Sequence, residues 1–360
     1  MKLRHFPCVA LLLFPALVFA QSAPASSKPQ ASAVSTGNYP VMSSAAKSRL
    51  RQLYGYFESG QTSPFYSAFT PELKKARSLA QLTTMQKGIA NQLGSEEKLL
   101  GENFAPELGS KTTVYARFSQ FTKSKDPVFT LLVIDNQGQI VLFQPRPVPA
   151  PPGNRFSDYK LQTKLQLPFT GEWFVFQGGP AIYQNVDAYR DAERYTMAFG
   201  VLKDGQTFSG DGSKNEQFYC YGQPITAPAD GTVTQVNNGF ADNPPGHPSD
   251  VGPIGNRIAV YHGHHEYSLF MHLKQNSIKV KSGDKVKQGD VLAECGNSGN
   301  SPYPHFEYRL QNSNGRPFPF SLPIQFVDYV SDGKAVEAGQ PVRGEIVKNG
   351  GASAPATAQK

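Results

Sequence analysis

The chain has 360 residues, of which 39% are hydrophobic and 11% aromatic, enough to fill the cores of two ordinary domains. Its 33 Gly and 29 Pro favour many short strands and turns over a helical bundle. The net charge of +7 and a pI near 9.1 favour an anionic partner surface. However, the sequence has no Lys/Arg block and no basic aromatic stripe, which argues against nucleic acid as that partner.

Residues 1–20 have the pattern of a secretory signal peptide. Lys2 and Arg4 precede an apolar run from Val9 to Phe19, and small residues follow. Eleven apolar residues are too few to span a bilayer, and no later stretch is long or apolar enough for a membrane helix. The sequence therefore predicts an exported protein, periplasmic or extracellular, without a transmembrane segment.

Two cysteines remain after the signal peptide and its Cys8 are removed. They are Cys220 and Cys295. An even pair of cysteines in an exported protein predicts a disulfide bond between them. Two buried free thiols are the alternative.

Residues 21–44 are rich in Ala, Ser and Pro and are predicted to form a disordered leader. The next segment, residues 45–144, shows helical spacing first and strand alternation afterwards. This order predicts a small α+β domain, similar in its sequence of elements to the cystatin and nuclear-transport-factor cone domains. The segment contains no His or Cys, so we predict a binding or spacing role for it rather than catalysis.

The rest of the chain divides into a linker, a second domain and a tail. Residues 145–164 begin with Pro-Arg-Pro-Val-Pro-Ala-Pro-Pro-Gly, which predicts a stiff polyproline linker. Almost every segment in residues 165–330 has the pattern of strand and turn, which predicts an antiparallel β domain. Residues 331–360 are rich in Gly, Ala and Lys and are predicted to form a flexible tail.

Four sequence blocks follow one another in the second domain. They are Gly222-Gln-Pro-Ile-Thr-Ala-Pro-Ala-Asp-Gly231, Glu266-Tyr-Ser-Leu-Phe-Met-His272-Leu, Val280-Lys-Ser-Gly-Asp-Lys-Val-Lys-Gln-Gly289 and Gly296-Asn-Ser-Gly-Asn-Ser-Pro-Tyr-Pro-His305-Phe-Glu307. In content and order these blocks resemble the lysostaphin-type (LytM) zinc endopeptidases, which cut peptide bonds in bacterial peptidoglycan. The resemblance implies an antiparallel β barrel-sandwich with an open groove for an extended peptide.

The same resemblance implies where a site would lie. The family holds zinc with His, Asp and His and keeps two further histidines that are not ligands but are available for the proton and the oxyanion. The matching positions for these two catalytic histidines are His272 and His305. The Gly/Asn/Ser loop before His305 is implied to line the substrate groove with Asn297, Ser298, Asn300 and Tyr303.

None of the three positions that match the zinc ligands keeps the family's residue. These positions are Asp187, Ala198 and Glu307, and no histidine occurs between His5 and His247. An Asp/Glu pair offers two hard oxygens and no imidazole, which suits zinc poorly, whereas calcium would need six or more oxygens. We therefore predict no cofactor. The alternative is zinc bound through the two carboxylates and an unidentified third group.

A second cluster of histidines lies in the segment His262-Gly-His264-His265. Alternate residues of a strand share one face, so this spacing permits a metal site. A hairpin tip exposed to water is the stronger interpretation.

Together these features predict an exported protein with a lysostaphin-type peptidase fold that has lost its zinc site, a pseudoenzyme. We expect it to bind peptidoglycan peptides, or to regulate a cell-wall hydrolase, through the former catalytic groove. The alternative is an active metalloendopeptidase that cleaves peptidoglycan cross-links. A third hypothesis is an adaptor whose first domain does the recognising.

Overall fold

The computed structural model describes residues 44–148, 153, 155–315 and 319–350. The predicted signal peptide, and the predicted leader apart from Ser44, lie outside these residues. None of the helices in the described part of the chain has the length and apolar character needed to cross a bilayer. We call residues 44–148 the N-terminal part and the described residues from 155 onward the C-terminal part.

The N-terminal part begins with four helices. They are α1 (Ser44–Glu58), α2 (Thr62–Ser67), α3 (Pro71–Ala76) and α4 (Leu79–Leu93). The Thr70 side chain accepts a hydrogen bond from the Leu73 amide at 3.2 Å and so caps α3. Gly94, with a φ of 78°, ends α4 in a backbone conformation that favours glycine. Local sequence thus sets where these helices begin and end.

An antiparallel sheet follows the helices. Its strands, adjacent in chain order, are β1 (Glu96–Pro106), β2 (Thr113–Phe121), β3 (Val128–Ile134) and β4 (Ile140–Pro147). Side chains from helices and strands share one core, which includes Leu50, Leu53, Phe57, Phe65, Tyr115, Leu132 and Ile140. The α+β class predicted for this region is confirmed.

The predicted linker begins inside the last strand of this sheet. Pro145 pairs opposite Thr130, and Pro147 pairs opposite Val128. Proline is tolerated there because β4 is an edge strand, where a missing N–H removes no ladder hydrogen bond. The linker prediction is therefore wrong for residues 145–147.

The end of the predicted linker is also held in place. The fully buried Glu266 carboxylate accepts hydrogen bonds from the Tyr159 hydroxyl at 2.8 Å, from the Gln162 amide at 2.8 Å and from the Thr163 amide at 2.9 Å. A buried carboxylate needs such donors, and here they come from the chain that precedes the large sheet. Residues 159–163 are thus anchored rather than free.

The C-terminal part contains twelve strands within the described residues. They are β5 (Trp173–Gln177), β6 (Met197–Gly200), β7 (Pro224–Thr226), β8 (Gly231–Asn237), β9 (Asn256–Tyr261), β10 (Tyr267–Leu273), β11 (Lys285–Val286), β12 (Val291–Glu294), β13 (Phe306–Gln311), β14 (Phe326–Ser331), β15 (Lys334–Gly339) and β16 (Ile346–Asn349). Ten form a sheet in the order β11-β8-β9-β10-β13-β6-β5-β16-β14-β15, and β12 pairs with β7. All these pairs are antiparallel, as predicted, but the ten-stranded sheet is open, so the described strands do not close into a barrel.

One core lies beneath the middle of the large sheet. Aromatic side chains dominate it, with Phe169, Trp173, Phe199, Phe306 and Tyr308 in mutual ring contact. Aromatic rings bury a large apolar area and pack with defined geometry. The core therefore fixes β5, β6 and β13 against one another, and with them any side chains on the opposite face of these strands.

The predicted tail contains two of the strands. Val347 of β16 is fully buried and pairs opposite Trp173 of β5, and β15 pairs with β14. The tail prediction is therefore wrong for residues 331–350. The segment has few large apolar residues, but the single buried side chain of Val347 is enough to hold β16 between β5 and β14.

Candidate functional site

The site is built on β13, whose side chains alternate between core and surface layers. Phe306, Tyr308 and Leu310 are fully buried in the aromatic core. Glu307 and Arg309 lie on the other face of the strand because successive side chains of a strand point to opposite sides. The alternation of this strand was readable from the sequence, and the structure confirms it.

His272 lies near the end of β10, directly beside this polar face. Its φ is 58°, a left-handed conformation that is uncommon for a residue other than glycine. The pairing of β10 with β9 is irregular between Phe270 and Leu273, so the ladder is interrupted at this point. The Nδ1–H of His272 donates to the Ser298 carbonyl at 2.8 Å. This bond and the surrounding packing, which leaves only 4% of the residue exposed, hold the ring in place.

His305 comes just before β13 and lies next to His272, with 4.9 Å between the two ring centroids. Its Nδ1–H donates to the Tyr303 carbonyl at 2.8 Å, and the Ser301 hydroxyl is 3.1 Å from the same nitrogen. The predicted catalytic histidines are therefore brought together in the structure. Both are buried, and both have Nδ1 committed to a backbone carbonyl.

Glu307 connects the histidines to the surface. Its Oε2 lies 2.6 Å from Nε2 of His272, and 21% of its side chain is exposed. Burial opposes ionisation of both groups, but the hydrogen bond and the opposite charges outweigh it. The pKa of His272 is therefore raised and the pKa of Glu307 is lowered. The two side chains form an ion pair.

His305 has the opposite electrostatic character. Burial, and then the charge of the neighbouring His272, lower the pKa of His305 to about 4. At neutral pH the site thus holds a neutral His305 imidazole beside the paired side chains of His272 and Glu307.

The three predicted ligand positions also lie close to one another. Ala198 of β6 is the direct cross-strand neighbour of Glu307 on one side and of Gln177 on the other. The Gln177 side chain donates to the Asp187 carboxylate at 2.8 Å. Burial raises the pKa of Asp187, and the charge of Glu307 adds to this shift. Gln177 links these positions, but its sequence setting gave no sign of that role.

This set of positions does not fit zinc. Ala198 offers no donor atom, and the Asp187 carboxylate is bonded to Gln177. The set also lacks an imidazole, the ligand that zinc favours beside thiolate. We therefore derive no catalytic step through a metal at these positions.

The residues predicted to line the groove divide into two pairs. Asn297 and Ser298 are fully buried and hold the loop together through bonds to the chain around them, so their lining role is wrong for this structure. Asn300 is exposed, and Tyr303 is half-buried. A Gly/Asn/Ser-rich loop is able to satisfy its own polar groups internally, which explains why two of its side chains turn inward.

The N-terminal part contacts the groove, which the sequence did not predict. Residues 107–112 connect β1 to β2, and Gly109 within them lies against the Tyr303 ring, so that a Cβ at 109 would overlap it. The Gly109 amide donates to the Thr207 hydroxyl at 3.3 Å. Leu108 and Ala198 pack on the same small apolar cluster, formed by Ala105, Phe174, Phe176 and Leu202. No local sequence pattern indicates a contact between residues so far apart in the chain.

The two cysteines are adjacent but free. Cys220 and Cys295 are both buried, and the Cys220 thiol donates to the Pro304 carbonyl at 3.1 Å. Burial, reinforced by the Cys220 neighbour, raises the pKa of Cys295. The predicted disulfide is thus wrong for this structure, in which the thiols fill apolar space directly behind the loop of His305.

The second histidine cluster does not converge on a metal site. Both ring nitrogens of His262 are occupied, one by the Asp230 carbonyl and one by the Ser268 hydroxyl, each at 2.8 Å. His264 and His265 are exposed in the turn between β9 and β10. The exposed hairpin tip is therefore the correct interpretation.

A family model for peptidase family M23 matches residues 216–319. Residues 216–319 are therefore similar to peptidase family M23. The matched segment contains His272, His305 and Glu307, and it agrees with the lysostaphin-type resemblance of the sequence blocks. The strands β5 and β6, which carry Gln177 and Ala198, precede the matched segment and lie in the same ten-stranded sheet as β13.

Several known proteins are similar to the M23 domain. An uncharacterized metalloprotease of Haemophilus influenzae is 35% identical over 105 residues, which cover 28% of this chain and 19% of that protein. The peptidoglycan DD-endopeptidase ShyA of Vibrio cholerae is 32% identical over 96 residues, 27% of this chain and 19% of that protein. The lysostaphin catalytic domain from Staphylococcus simulans is 18% identical, with 42% of this chain and 88% of that domain covered and a TM-score of 0.25. This chain thus spans about a fifth of the length of these two curated relatives.

Proposed function

We infer that this chain is an exported M23 protein that does not hydrolyse peptide bonds and that binds peptidoglycan peptides through the groove beside β13. The observation that carries this proposal is the pairing of Ala198 with Glu307. The family's chemistry needs a donor atom from each ligand position, and one of the two paired positions has a methyl group. The other position, Glu307, has a carboxylate where the family has an imidazole.

The arrangement still suits binding. Asn300 is exposed and Tyr303 is half-buried in the loop that precedes His305, and an amide and a phenol hydroxyl are groups that bind extended peptides. The net charge of +7 favours approach to an anionic cell wall. The relative ShyA is a peptidoglycan DD-endopeptidase, which makes wall peptide the first ligand to test.

The connection of β1 to β2 limits where a peptide can lie. Because Gly109 contacts Tyr303 and Leu108 packs on the same apolar cluster as Ala198, the N-terminal part covers the β6 side of the groove. A ligand therefore enters along Asn300 and His305, or displaces this connection. The alternative function, an active metalloendopeptidase, would require the same region to admit a scissile bond close to Glu307.

Sedimentation with isolated peptidoglycan tests the proposal. We expect the mature chain to sediment with the wall material and to release no peptides detectable by mass spectrometry. Asn300→Trp should block the groove and weaken binding at least tenfold. Asn314→Trp places the same side chain on an exposed site beyond the far end of β13 and should bind normally.

Two outcomes would contradict the proposal. Release of wall peptides by the native chain, lost in Glu307→Ala, would favour the active metalloendopeptidase. Equal binding by both Trp variants would show that the groove is not the binding surface. In that case the chain without residues 45–144 should be compared, because the adaptor hypothesis assigns recognition to that segment.

A further inference from the structure

We propose that His272, His305 and Glu307 form a binding site for one zinc ion, at a place different from the family's ligand positions. Each residue offers one ligand atom, and these atoms lie within 4.8 Å of one another. The site uses the two histidines that the family keeps as non-ligands and only one of its three ligand positions.

The first argument is the hydrogen bonding of the imidazoles. A backbone carbonyl only accepts, so the bonds to Ser298 and Tyr303 require that Nδ1 carries the proton in both rings. Nε2 is then the nitrogen with a free lone pair in each neutral imidazole. Histidine ligands of metals usually donate their other N–H to a carbonyl or carboxylate in this way, which fixes the tautomer and the ring orientation. Both rings thus have Nδ1 held by a carbonyl, and His272 would release the proton on its Nε2 when a metal ion binds.

The second argument is the contact between His272 and Glu307. With Nδ1 protonated, Nε2 of a neutral His272 would direct its lone pair at a carboxylate oxygen 2.6 Å away. Two lone pairs repel at this distance, so a positive species must lie between the two atoms. A proton fills that place in the ion pair described above. A metal ion between the same two atoms would satisfy both and would recruit the neutral imidazole of His305 as well.

The third argument is the chemical match of the donors. Two imidazoles and one carboxylate form a known zinc ligand set, with the fourth position left for water or another ligand. Zinc bonds of about 2.1 Å place tetrahedral ligand atoms about 3.3 Å apart. The 2.6 Å separation of His272 and Glu307 must therefore widen by about 0.7 Å, and a separation of 4.8 Å must shorten by about 1.5 Å. The 21% exposure of the Glu307 side chain provides both the freedom to move and a path from solvent.

Zinc at this place would not restore the family's peptidase. Both imidazoles would be ligands, so neither would be free to move a proton or to stabilise an oxyanion. The metal would instead join the end of β10 to β13 and make the loop of residues 297–305 more rigid. The site does not depend on the proposed wall binding, since either could hold without the other.

Zinc titration of the untagged full chain, previously stripped of metal, tests this site. We expect one zinc per chain by competition with a chromophoric chelator. Replacement of zinc by cobalt should give the visible absorption of a four-coordinate ion. Glu307→Gln and His305→Gln should each weaken zinc binding at least tenfold while the far-ultraviolet circular dichroism remains native.

Two control variants separate this site from other sources of metal binding. Asp187→Asn removes a carboxylate from the family's ligand positions and should leave zinc binding unchanged. The double variant His264→Gln, His265→Gln removes the exposed imidazoles of the turn and should also bind one zinc. Loss of binding in either control, or no zinc bound by the native chain, would overturn the proposal.

Discussion

Gly109 lies directly against the ring of Tyr303, so the N-terminal part touches the loop that leads into His305. The φ of Gly109 is 73°, and any Cβ at this position would overlap the aromatic ring. Glycine is therefore required twice, for the backbone conformation and for the close approach. The contact connects the N-terminal part, which contains no histidine, to the C-terminal part, which carries the site. The stability of each part should therefore depend on the other.

Replacing this glycine should separate the two parts. Gly109→Ala combines the strain of a positive φ with a steric overlap against Tyr303, and we expect a loss of about 2–4 kcal/mol in the free energy of unfolding. Gly138→Ala is the matched control, because its φ is 76° and the space around it is open. This control should cost about 1 kcal/mol. Urea denaturation measures both, and equal losses would show that the contact with Tyr303 contributes nothing.

Several elements were predictable because their signals are local. Asp135 to Gly138 turns β3 into β4, and the Asp135 carboxylate accepts from the Gln137 and Gln139 amides, as a turn sequence should. The polar face of β13 follows from strict alternation over a few residues. A local pattern suffices in these cases because the interactions that form the element lie within it.

Other elements have no local signal in the sequence because their partners are remote. β1 has irregular pairing near Leu99 and Gly101, and its Glu96 and Glu102 face Arg117 of the next strand, so apolar alternation is lost. A strand stabilised by ion pairs to its neighbour does not show the pattern of an isolated amphipathic strand. The contact of Gly109 with Tyr303 is missed for the same reason.

The candidate site was predicted as a set of residues but not as an arrangement. The sequence indicated that His272, His305 and Glu307 belong together. It could not indicate that Nε2 of His272 faces the Glu307 carboxylate, because that depends on the left-handed backbone at His272 and on the pairing of β10 with β13. It also assigned Ser298 to the groove, whereas the structure uses the Ser298 carbonyl to fix the tautomer of His272.

The His272–Glu307 ion pair should make stability depend on pH. The pKa of His272 is raised, so its contribution is present below about 6.5 and is lost as pH rises through the raised value. The pKa of Glu307 is lowered, so its contribution is present above about 4.3 and is lost as pH falls through the lowered value. The pair is therefore fully effective between about pH 4.3 and 6.5.

Glu307→Gln measures that contribution. In the presence of a chelator, we expect the variant to be less stable than the native chain by about 2–3 kcal/mol at pH 5.5. The difference should shrink at pH 9, where the Gln amide is able to donate to a neutral His272. Urea denaturation at the two pH values gives both numbers. A difference that does not change with pH would rule out the ion pair.

His305 should contribute a separate acid sensitivity. Its pKa is lowered to about 4 by burial and by the charge of His272. The contribution of the neutral His305 imidazole to the free energy of unfolding is fully present above about pH 6.5. It is lost as pH falls through about 4. We expect the native chain to lose about 2–3 kcal/mol more than His305→Gln between these two pH values. Thermal unfolding over this range in chelator is the measurement, and parallel curves for the two proteins would contradict it.

Glu266 should hold the segment before the large sheet in place. Glu266→Ala leaves the Gln162 and Thr163 amides and the Tyr159 hydroxyl without their acceptor, and we expect a loss of about 3–5 kcal/mol. Limited proteolysis should then cut near residue 160. Glu172→Ala removes an exposed carboxylate that pairs with Lys348 and should cost less than about 1 kcal/mol. Similar cleavage of both variants would show that the buried carboxylate does not anchor the segment.

The assignment of the family's ligand positions can be tested by restoring them. The triple variant Asp187→His, Ala198→Asp, Glu307→His restores the family's His, Asp and His. Positions 198 and 307 are paired on β6 and β13, and Asp187 is bonded to the neighbouring Gln177. We therefore expect the three new side chains to bind one zinc ion together. Because His305 is not a ligand in that set, adding His305→Gln to the triple variant should leave its zinc affinity within about threefold. The same change in the native chain should remove zinc binding at the site proposed above. Chelator competition measures all four proteins, and thermal unfolding shows that each is folded. A folded triple variant that binds no zinc would mean that these three positions do not converge.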